Sequence, residues 1–164
     1  MDIIKGKVIV LGDDVDTDQI LPGYAMAEPY DQLGNFALAG LAGDTPFKDM
    51  HTPGDIIVAG RNFGCGSSRE QAPIALRQAE VALIIAKGFA RIFRRNSINI
   101  GLPVWVADIA DELKTGDEIE VDLEKGTITV NGAVKQFTGM SENVLKTLEF
   151  GGLIPRVRAE LGIQ

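Results

Sequence analysis

The chain has 164 residues, a formal net charge of -7 at pH 7 and a single cysteine. This length favours one domain, so we expect residues 1–164 to form a single folded unit. The acidic balance argues against nucleic acids and anionic membranes as partners, since both bind basic surfaces. One cysteine, with neither a CxxC motif nor a histidine cluster, predicts no internal disulfide and no metal site in this chain.

No segment of the sequence is typical of export or membrane insertion. The first residues, Met1 to Gly6, have neither the basic region nor the long apolar run of a signal peptide. The longest apolar stretches are too short to cross a bilayer. We therefore expect a cytoplasmic protein.

A buried β-strand is predicted over residues 6–11, because Val8 to Leu11 form a short apolar run. An acidic turn follows, and its spacing does not match a calcium-binding EF-hand loop, which needs a glycine and a distal glutamate in register. We expect most of these carboxylates to be structural residues of a solvent-exposed turn. The four acids are Asp13, Asp14, Asp16 and Asp18.

Residues 22–53 form a long polar stretch that is interrupted by glycine and proline and has only weak periodicity. Within it, residues 32–41 predict a short helix. Long irregular segments in compact domains are often functional. No arginine occurs from Gly23 to Gly60, which restricts the charges that this segment could offer to a ligand.

The segment from Gly60 to Ala72 is the most informative part of the chain. A short buried strand is predicted before it, over residues 55–59. A helix is predicted after it, over residues 68–82, since alanine, glutamate, glutamine, leucine and arginine favour helix. Gly64 and Gly66 lack a Cβ atom, so the intervening turn can fold tightly and its backbone can approach a ligand.

This turn would deliver two hydroxyls and a guanidinium to one place. Ser67 or Ser68 would lie near the helix N-cap, where free N–H groups and the helix dipole attract a carboxylate or phosphate. Arg69 would lie in the first helical turn, where a cation is unfavourable, and a bidentate grip on a carboxylate would explain it. The alternative is an ordinary turn, with Ser68 and Gln71 as a capping box and Arg69 paired with a surface acid.

The second half of the chain completes the pattern of an α/β fold with a mixed sheet. Strands are predicted over residues 81–86, 104–106, 117–124 and 127–130, and helices over residues 89–96, 141–150 and 153–161.

Two groups of side chains share the predicted helix 89–96. The spacing of Phe89, Ile92 and Phe93 predicts that they belong to the core. Other positions of this helix carry a cluster of basic side chains. We expect this cluster to form a solvated face or a partner interface, and we rank a second anion-binding site below both. The cluster consists of Arg91, Arg94 and Arg95.

Three ordered motifs resemble the small subunit of 3-isopropylmalate dehydratase, the swivel-domain branch of the aconitase superfamily. They are Asp-Thr-Asp-Gln-Ile-Leu-Pro at 16–22, Asn-Phe-Gly-Cys-Gly-Ser-Ser-Arg-Glu at 62–70 and Lys-Gly-Phe-Ala-Arg-Ile-Phe at 87–93. The match extends from Gly6 to Pro103 and specifies the branch more sharply than the substrate. It implies one swivelling β/β/α domain over residues 1–164, with a mixed sheet or barrel-like core and flanking helices.

The resemblance also implies a reaction. Isomerisation of 2-isopropylmalate to 3-isopropylmalate, a step of leucine biosynthesis, would proceed by dehydration and rehydration. A separate large subunit would hold a [4Fe–4S] cluster as Lewis acid, so that this chain has no cofactor of its own and is inactive alone. On this chain the resemblance implies Ser67 as the catalytic base and Asp18 at the active-site edge. Ser68, Arg69 and Gly66 would bind a substrate carboxylate.

Within the resemblance, the stretch after Pro22 is the loop that selects the substrate. Its usual form resembles Arg-Tyr-Leu, whereas this chain has Tyr24, Ala25 and Met26 and lacks the arginine. We expect these three side chains to line an apolar pocket that accepts an alkyl-substituted malate. Isopropylmalate is the substrate that we expect first, and dimethylmalate or citramalate is the second choice. Homocitrate would lack a counter-charge from this loop. The alternative is that Met26 simply packs the loop onto the core.

Cys65 lies between two glycines, and we expect it to be a small packing residue. The alternative is a Cys–His dyad with His51, the single histidine of the chain.

Two other classes of function stay open from the residues alone. One is a regulatory module that binds an anion at the glycine turn, and the other is a structural subunit. The isolated chain could also form homo-oligomers. Activation by a cysteine-rich partner would separate an enzyme subunit from both.

Overall fold

Seven strands form one mixed sheet in residues 1–43 and 46–163, the part of the chain that this computed structural model describes. The order across the sheet is β4-β3-β2-β1-β5-β6-β7. Strands β1 to β4 run parallel to one another. Strand β5 runs antiparallel to β1 and continues into β6 and β7 as an antiparallel meander. The bounds are β1 Ile4–Val10, β2 Ile56–Ala59, β3 Leu83–Ala86, β4 Val104–Val106, β5 Glu118–Asp122, β6 Thr127–Val130 and β7 Ala133–Gln136.

The sheet separates two apolar cores, one that contains most of the buried helical side chains and one formed mainly by strand and loop side chains. In β2, Ile57 and Ala59 belong to one core and Ile56 and Val58 to the other, as expected for a strand that is buried on both faces. No helix in the described ranges has the length and apolar character needed to cross a membrane. The helix bounds are α1 Thr17–Ile20, α2 Phe47–Met50, α3 Gln71–Gln78, α4 Arg91–Asn99, α5 Glu142–Glu149 and α6 Leu153–Glu160.

The predicted α/β fold with a mixed sheet is confirmed. Each strand that the sequence predicts is present within a few residues of its expected bounds. Both C-terminal helices are also present, and Ser141 begins the first of them as an N-cap whose side chain accepts from the Val144 N–H. These elements could be predicted because their period-2 or helical patterns and their caps are local.

The helix predicted over residues 32–41 is wrong. A 3₁₀ helix over Tyr30–Phe36 overlaps the first half of this range and ends there, and a shorter 3₁₀ helix at Gly23–Ala27 precedes it. The reason is a tertiary contact: a Cβ atom at Gly34 would lie 2.7 Å from Gln78 Cβ, and the Gly34 N–H donates to Gln78 Oε1 at 2.8 Å. Contact with α3 therefore overrides local preference. Part of the predicted irregular stretch 22–53 lies outside the described residues.

Candidate active site

The candidate site is formed by the turns that follow the carboxyl ends of parallel strands β1, β2 and β3, which meet at one edge of the sheet. The turn after β2 runs beside the turn after β1. Gly64 N–H donates to the carbonyl of Val15 at 2.7 Å, and Thr17 N–H donates to the carbonyl of Cys65 at 2.9 Å. These bonds bring the first and second motifs of the sequence together.

Three of the four acids in the turn after β1 have structural roles. Asp16 is the N-cap of α1 and forms a reciprocal capping box with Gln19. The other two hold the turn that follows β2. The bonds are Arg61 N–H to Asp13 Oδ1 at 2.7 Å and Asn62 Nδ2 to Asp14 Oδ1 at 3.2 Å.

Gly64 allows α4 to approach this turn. Its φ is +84°, and a Cβ atom there would lie 2.2 Å from Phe93 Cγ. Phe93 is buried on α4 and packs edge-to-face on Phe63, with ring centroids 5.4 Å apart. A side chain at position 64 would therefore separate α4 from the turn.

We expect Gly64→Ala to lower the free energy of unfolding by about 2–4 kcal/mol, from overpacking and a left-handed backbone conformation. Urea unfolding would measure the change. Gly12→Ala is the matched control, because a Cβ atom at Gly12 meets nothing within 4 Å. An equal loss in both variants would contradict the assigned role of Gly64.

The prediction that Ser67 or Ser68 caps a helix is wrong. α3 begins at Gln71, and Glu70 at its N-cap position has an αR backbone and no side-chain cap bond. Arg69 N–H donates to the Ser67 carbonyl at 2.8 Å, which makes a tight turn where the helix was expected. Both serines are therefore exposed in the turn, and Arg69 lies outside the first helical turn.

Ser67 lies beside a buried hydroxyl that sequence reasoning missed. Its Oγ is 3.3 Å from Thr17 Oγ1, and Thr17 is only 2% exposed. Gly66, with φ of +99°, forms the bend before Ser67. Thr17 lies between two acids in the first motif, and this position was the only sequence signal for a role in the site. The neighbouring residues in the sequence do not indicate that its hydroxyl contacts Ser67.

Arg69 joins the two motifs through its guanidinium. Its Nη1 forms an ion pair with Asp18 Oδ1 at 2.5 Å and donates to the Leu21 carbonyl at 2.9 Å. The Arg69 side chain is 22% exposed and that of Asp18 is 71% exposed. Asp18, the acid paired with Arg69, is the acid that the family resemblance predicts at the active-site edge.

A pocket of about 250 Å³ opens beside the two serines. Four of its lining residues belong to α4 and were not predicted as site residues: Arg91, Ile92, Phe93 and Asn96. Ile92, which the sequence places in the core, is 40% exposed, so that prediction is wrong: only one face of α4 packs inward. The polar and charged lining residues are Thr17, Ser67, Ser68, Arg69, Arg91 and Asn96.

The predicted specificity residues do not line this pocket. Ala25 is fully buried, and Met26 is half-buried against the core. Tyr24 is 69% exposed and packs edge-to-face on Phe36, with ring centroids 6.1 Å apart. These positions agree with packing of the loop onto the core, and the role of the three residues in substrate selection stays a prediction.

Cys65 does not have the surroundings of a reactive thiol. Burial raises its pKa, and the charges of Asp14 and Asp16 raise it further. His51 contacts the carbonyl of Ala79 through Nε2, in a pocket that does not include Cys65. The geometry therefore favours a packing role over the dyad.

The thiolate is the reactive form of cysteine, so a raised pKa predicts slow alkylation of Cys65 at neutral pH. We expect the rate with iodoacetamide to be below that of a free cysteine at pH 7 and to rise continuously to pH 9. Intact-mass measurements from pH 7 to 10 would follow it. A plateau below pH 8 would instead indicate an activated thiol.

The family model of the aconitase C-terminal domain matches residues 43–108. A similar protein is the isopropylmalate/citramalate isomerase small subunit of Methanocaldococcus jannaschii, 45% identical over 97% of this chain and 96% of its own length. The methanogen homoaconitase small subunit of Methanothermobacter thermautotrophicus is 49% identical over 93% of this chain and 89% of its own length.

A solved structure resembles the fold along nearly the whole chain. It is the crystal structure of 3-isopropylmalate dehydratase from Methanocaldococcus jannaschii, with a TM-score of 0.88 and 41% identity. The alignment covers 98% of this chain and 96% of that one, so the predicted swivel-type fold is confirmed. Sequence and fold together show that this chain belongs to the family of 3-isopropylmalate dehydratase small subunits, within the aconitase superfamily.

Proposed function

We propose that this chain is the small subunit of a two-subunit hydro-lyase that converts 2-isopropylmalate to 3-isopropylmalate by dehydration and rehydration. The single domain over residues 1–164 and the cytoplasmic location belong to the same proposal. The observation that carries it is the placement of Ser67 Oγ beside a buried hydroxyl, in a small pocket that also contains Arg69. A base next to an anion-binding guanidinium suits proton removal from the carbon beside a carboxylate.

In this proposal Ser67 takes the proton from carbon, and Thr17 stabilises the Ser67 alkoxide by donating its hydroxyl hydrogen. Ser68 and Arg69 hold a substrate carboxylate, and Asp18 orients the guanidinium of Arg69 through their ion pair. The turn at Gly66 exposes the Ser67 side chain to the pocket. In the rehydration half-reaction Ser67 returns the proton to the neighbouring carbon.

The Lewis acid must come from another chain. A [4Fe–4S] cluster is held by several cysteine thiolates, whereas this chain has one cysteine, whose pKa is raised. We therefore place the cluster in a large subunit, where it would supply a Lewis acid for the substrate hydroxyl. The residues of this chain would supply the base and the anion contacts.

The substrate is the finer part of the proposal. The relatives' names include isopropylmalate, citramalate and homoaconitase. We favour isopropylmalate because the loop after Pro22 has no arginine to pair with a further carboxylate. Dimethylmalate and citramalate are the second choice, since they also lack a distal charge.

The test is co-expression of this chain with the large subunit, followed by anaerobic assays of hydration. The substrates would be isopropylmaleate, dimethylmaleate, citraconate and cis-homoaconitate. We expect activity with both chains together, none with this chain alone, and the highest kcat/KM for isopropylmaleate. No activity on any substrate, with a fully loaded cluster, would favour the anion-binding or structural alternatives.

A further inference from the structure

Arg91 is a second guanidinium in the pocket that contains Ser67, Ser68 and Arg69. No carboxylate is among the residues described as lining this pocket, although the chain has 23 acidic and 16 basic side chains. A volume of about 250 Å³ lies below that of pockets for drug-sized ligands. The pocket thus suits a small organic anion.

The charge of Arg69 is already balanced within the chain. Its guanidinium pairs with Asp18 and donates to the Leu21 carbonyl. Across the described ranges, Arg91 has no carboxylate within salt-bridge distance, and its side chain is exposed. A dianionic ligand would therefore find a neutral pair at Arg69 and an uncompensated positive charge at Arg91.

Arg91 is also held in place relative to the serine turn. It is the first residue of α4, and the preceding Ala90 donates its N–H to the Phe63 carbonyl at 2.9 Å. Phe63 N–H in turn donates to the Gly88 carbonyl at 3.0 Å. The close approach of Phe93 to Gly64 completes this contact.

A solvated surface role does not account for Arg91. An arginine at the start of a helix opposes the helix dipole, and Ala90 at the N-cap offers no side-chain bond to the first N–H groups. Both features weaken the helix, and both favour an anion in the pocket. The sequence favours a solvated face or an interface for the cluster of Arg91, Arg94 and Arg95, whereas the position of Arg91 in the pocket favours an anion clamp.

We propose that Arg91 binds a carboxylate of the substrate and forms, with Arg69, a two-guanidinium clamp for the dicarboxylate core that all alkylmalates share. This proposal rests on the proposed function. Because the shared core is recognised, Arg91 contributes to binding of every substrate of this class and does not select the alkyl group.

The test compares Arg91→Gln and Arg91→Lys with Arg94→Gln. Arg94 is exposed on the same helix and does not line this pocket. In the assembled enzyme we expect Arg91→Gln to raise KM for isopropylmaleate and citraconate about 10- to 100-fold, the range of a charge-assisted hydrogen bond. Arg91→Lys should recover part of this loss, and Arg94→Gln should behave as wild type.

Two further measurements separate the alternatives. Affinity for the large subunit should be equal in wild type and Arg91→Gln; a loss of affinity with unchanged KM would assign Arg91 to the interface and overturn the proposal. KM values within twofold of wild type would also overturn it, as would an effect confined to cis-homoaconitate.

Failure of the proposed function is distinguishable from failure of this inference. If the assembled enzyme turns over no substrate, NMR titration of the isolated full chain with 2-isopropylmalate still tests Arg91. Weaker binding by Arg91→Gln than by Arg94→Gln would support the clamp. Equal binding by both, or no binding by wild type, would overturn it.

Discussion

Replacement of Ser67 by alanine is expected to lower kcat of the assembled enzyme about 10²- to 10⁴-fold, the range that general base catalysis contributes. Ser67 is exposed and its Oγ has one described hydrogen-bond neighbour, Thr17 Oγ1. Its loss should therefore leave folding and assembly intact. Steady-state kinetics with isopropylmaleate would measure the change, and gel filtration would verify assembly.

Thr17→Val tests how the base is stabilised, because valine keeps the buried shape and removes the hydroxyl. Thr17 is 2% exposed, so its hydroxyl has little access to water. We expect kcat to fall about tenfold, since one hydrogen bond to the alkoxide is lost. In Ser67→Ala the same second substitution should have no further effect on kcat.

Ser68→Ala is the matched control for the neighbouring hydroxyl. It should raise KM more than it lowers kcat, since we propose that Ser68 binds a substrate carboxylate. Near wild-type turnover by Ser67→Ala would show that another group removes the proton. A loss in Ser68→Ala equal to that in Ser67→Ala would contradict the division of roles.

The parts of this fold that the sequence predicts are those with local causes. The apolar run of β3 and the hairpin of β5 and β6 follow from strand patterns and turn residues. The serine turn was also predictable as a turn, because Gly64 and Gly66 have positive φ values that glycine adopts readily. The roles predicted for the serines and the arginine of this turn followed from the resemblance to a known family.

The parts that could not be predicted depend on contacts between distant segments. Thr17 meets Ser67 because the backbone bonds of residues 64 and 65 align two turns. Arg91 reaches the pocket because Phe93 packs where Gly64 has no side chain. The start of α3 shifted to Gln71 because the chain makes a tight turn at Ser67. Composition and periodicity carry no information on such contacts.

Replacement of Arg69 by lysine is expected to lower kcat/KM about 10²- to 10³-fold, as observed when a preorganised electrostatic donor is lost. Lysine keeps the charge but lacks the planar fork. One ammonium cannot reproduce the bonds to Asp18 Oδ1 and the Leu21 carbonyl and also grip a carboxylate in bidentate fashion. Kinetics on isopropylmaleate and citraconate would measure the effect.

Asp18→Asn provides the matched comparison for this ion pair. Asparagine keeps an oxygen that can accept from Arg69 and removes the charge, and the Asp18 side chain is 71% exposed. Its charge is therefore partly screened by water, and we expect a smaller loss in kcat/KM, about tenfold or less. If Asp18→Asn were as damaging as Arg69→Lys, Asp18 would act on the substrate directly and not through Arg69.

The bond from Arg69 to the Leu21 carbonyl adds a second expected result. Leu21 directly precedes Pro22 and the 3₁₀ turn Gly23–Ala27, so loss of this bond should loosen the loop that we propose selects the substrate. Arg69→Lys should therefore reduce the ratio of kcat/KM for isopropylmaleate over citraconate, whereas Asp18→Asn should leave that ratio unchanged. An unchanged ratio in both variants would show that Arg69 binds the shared carboxylate without positioning the loop.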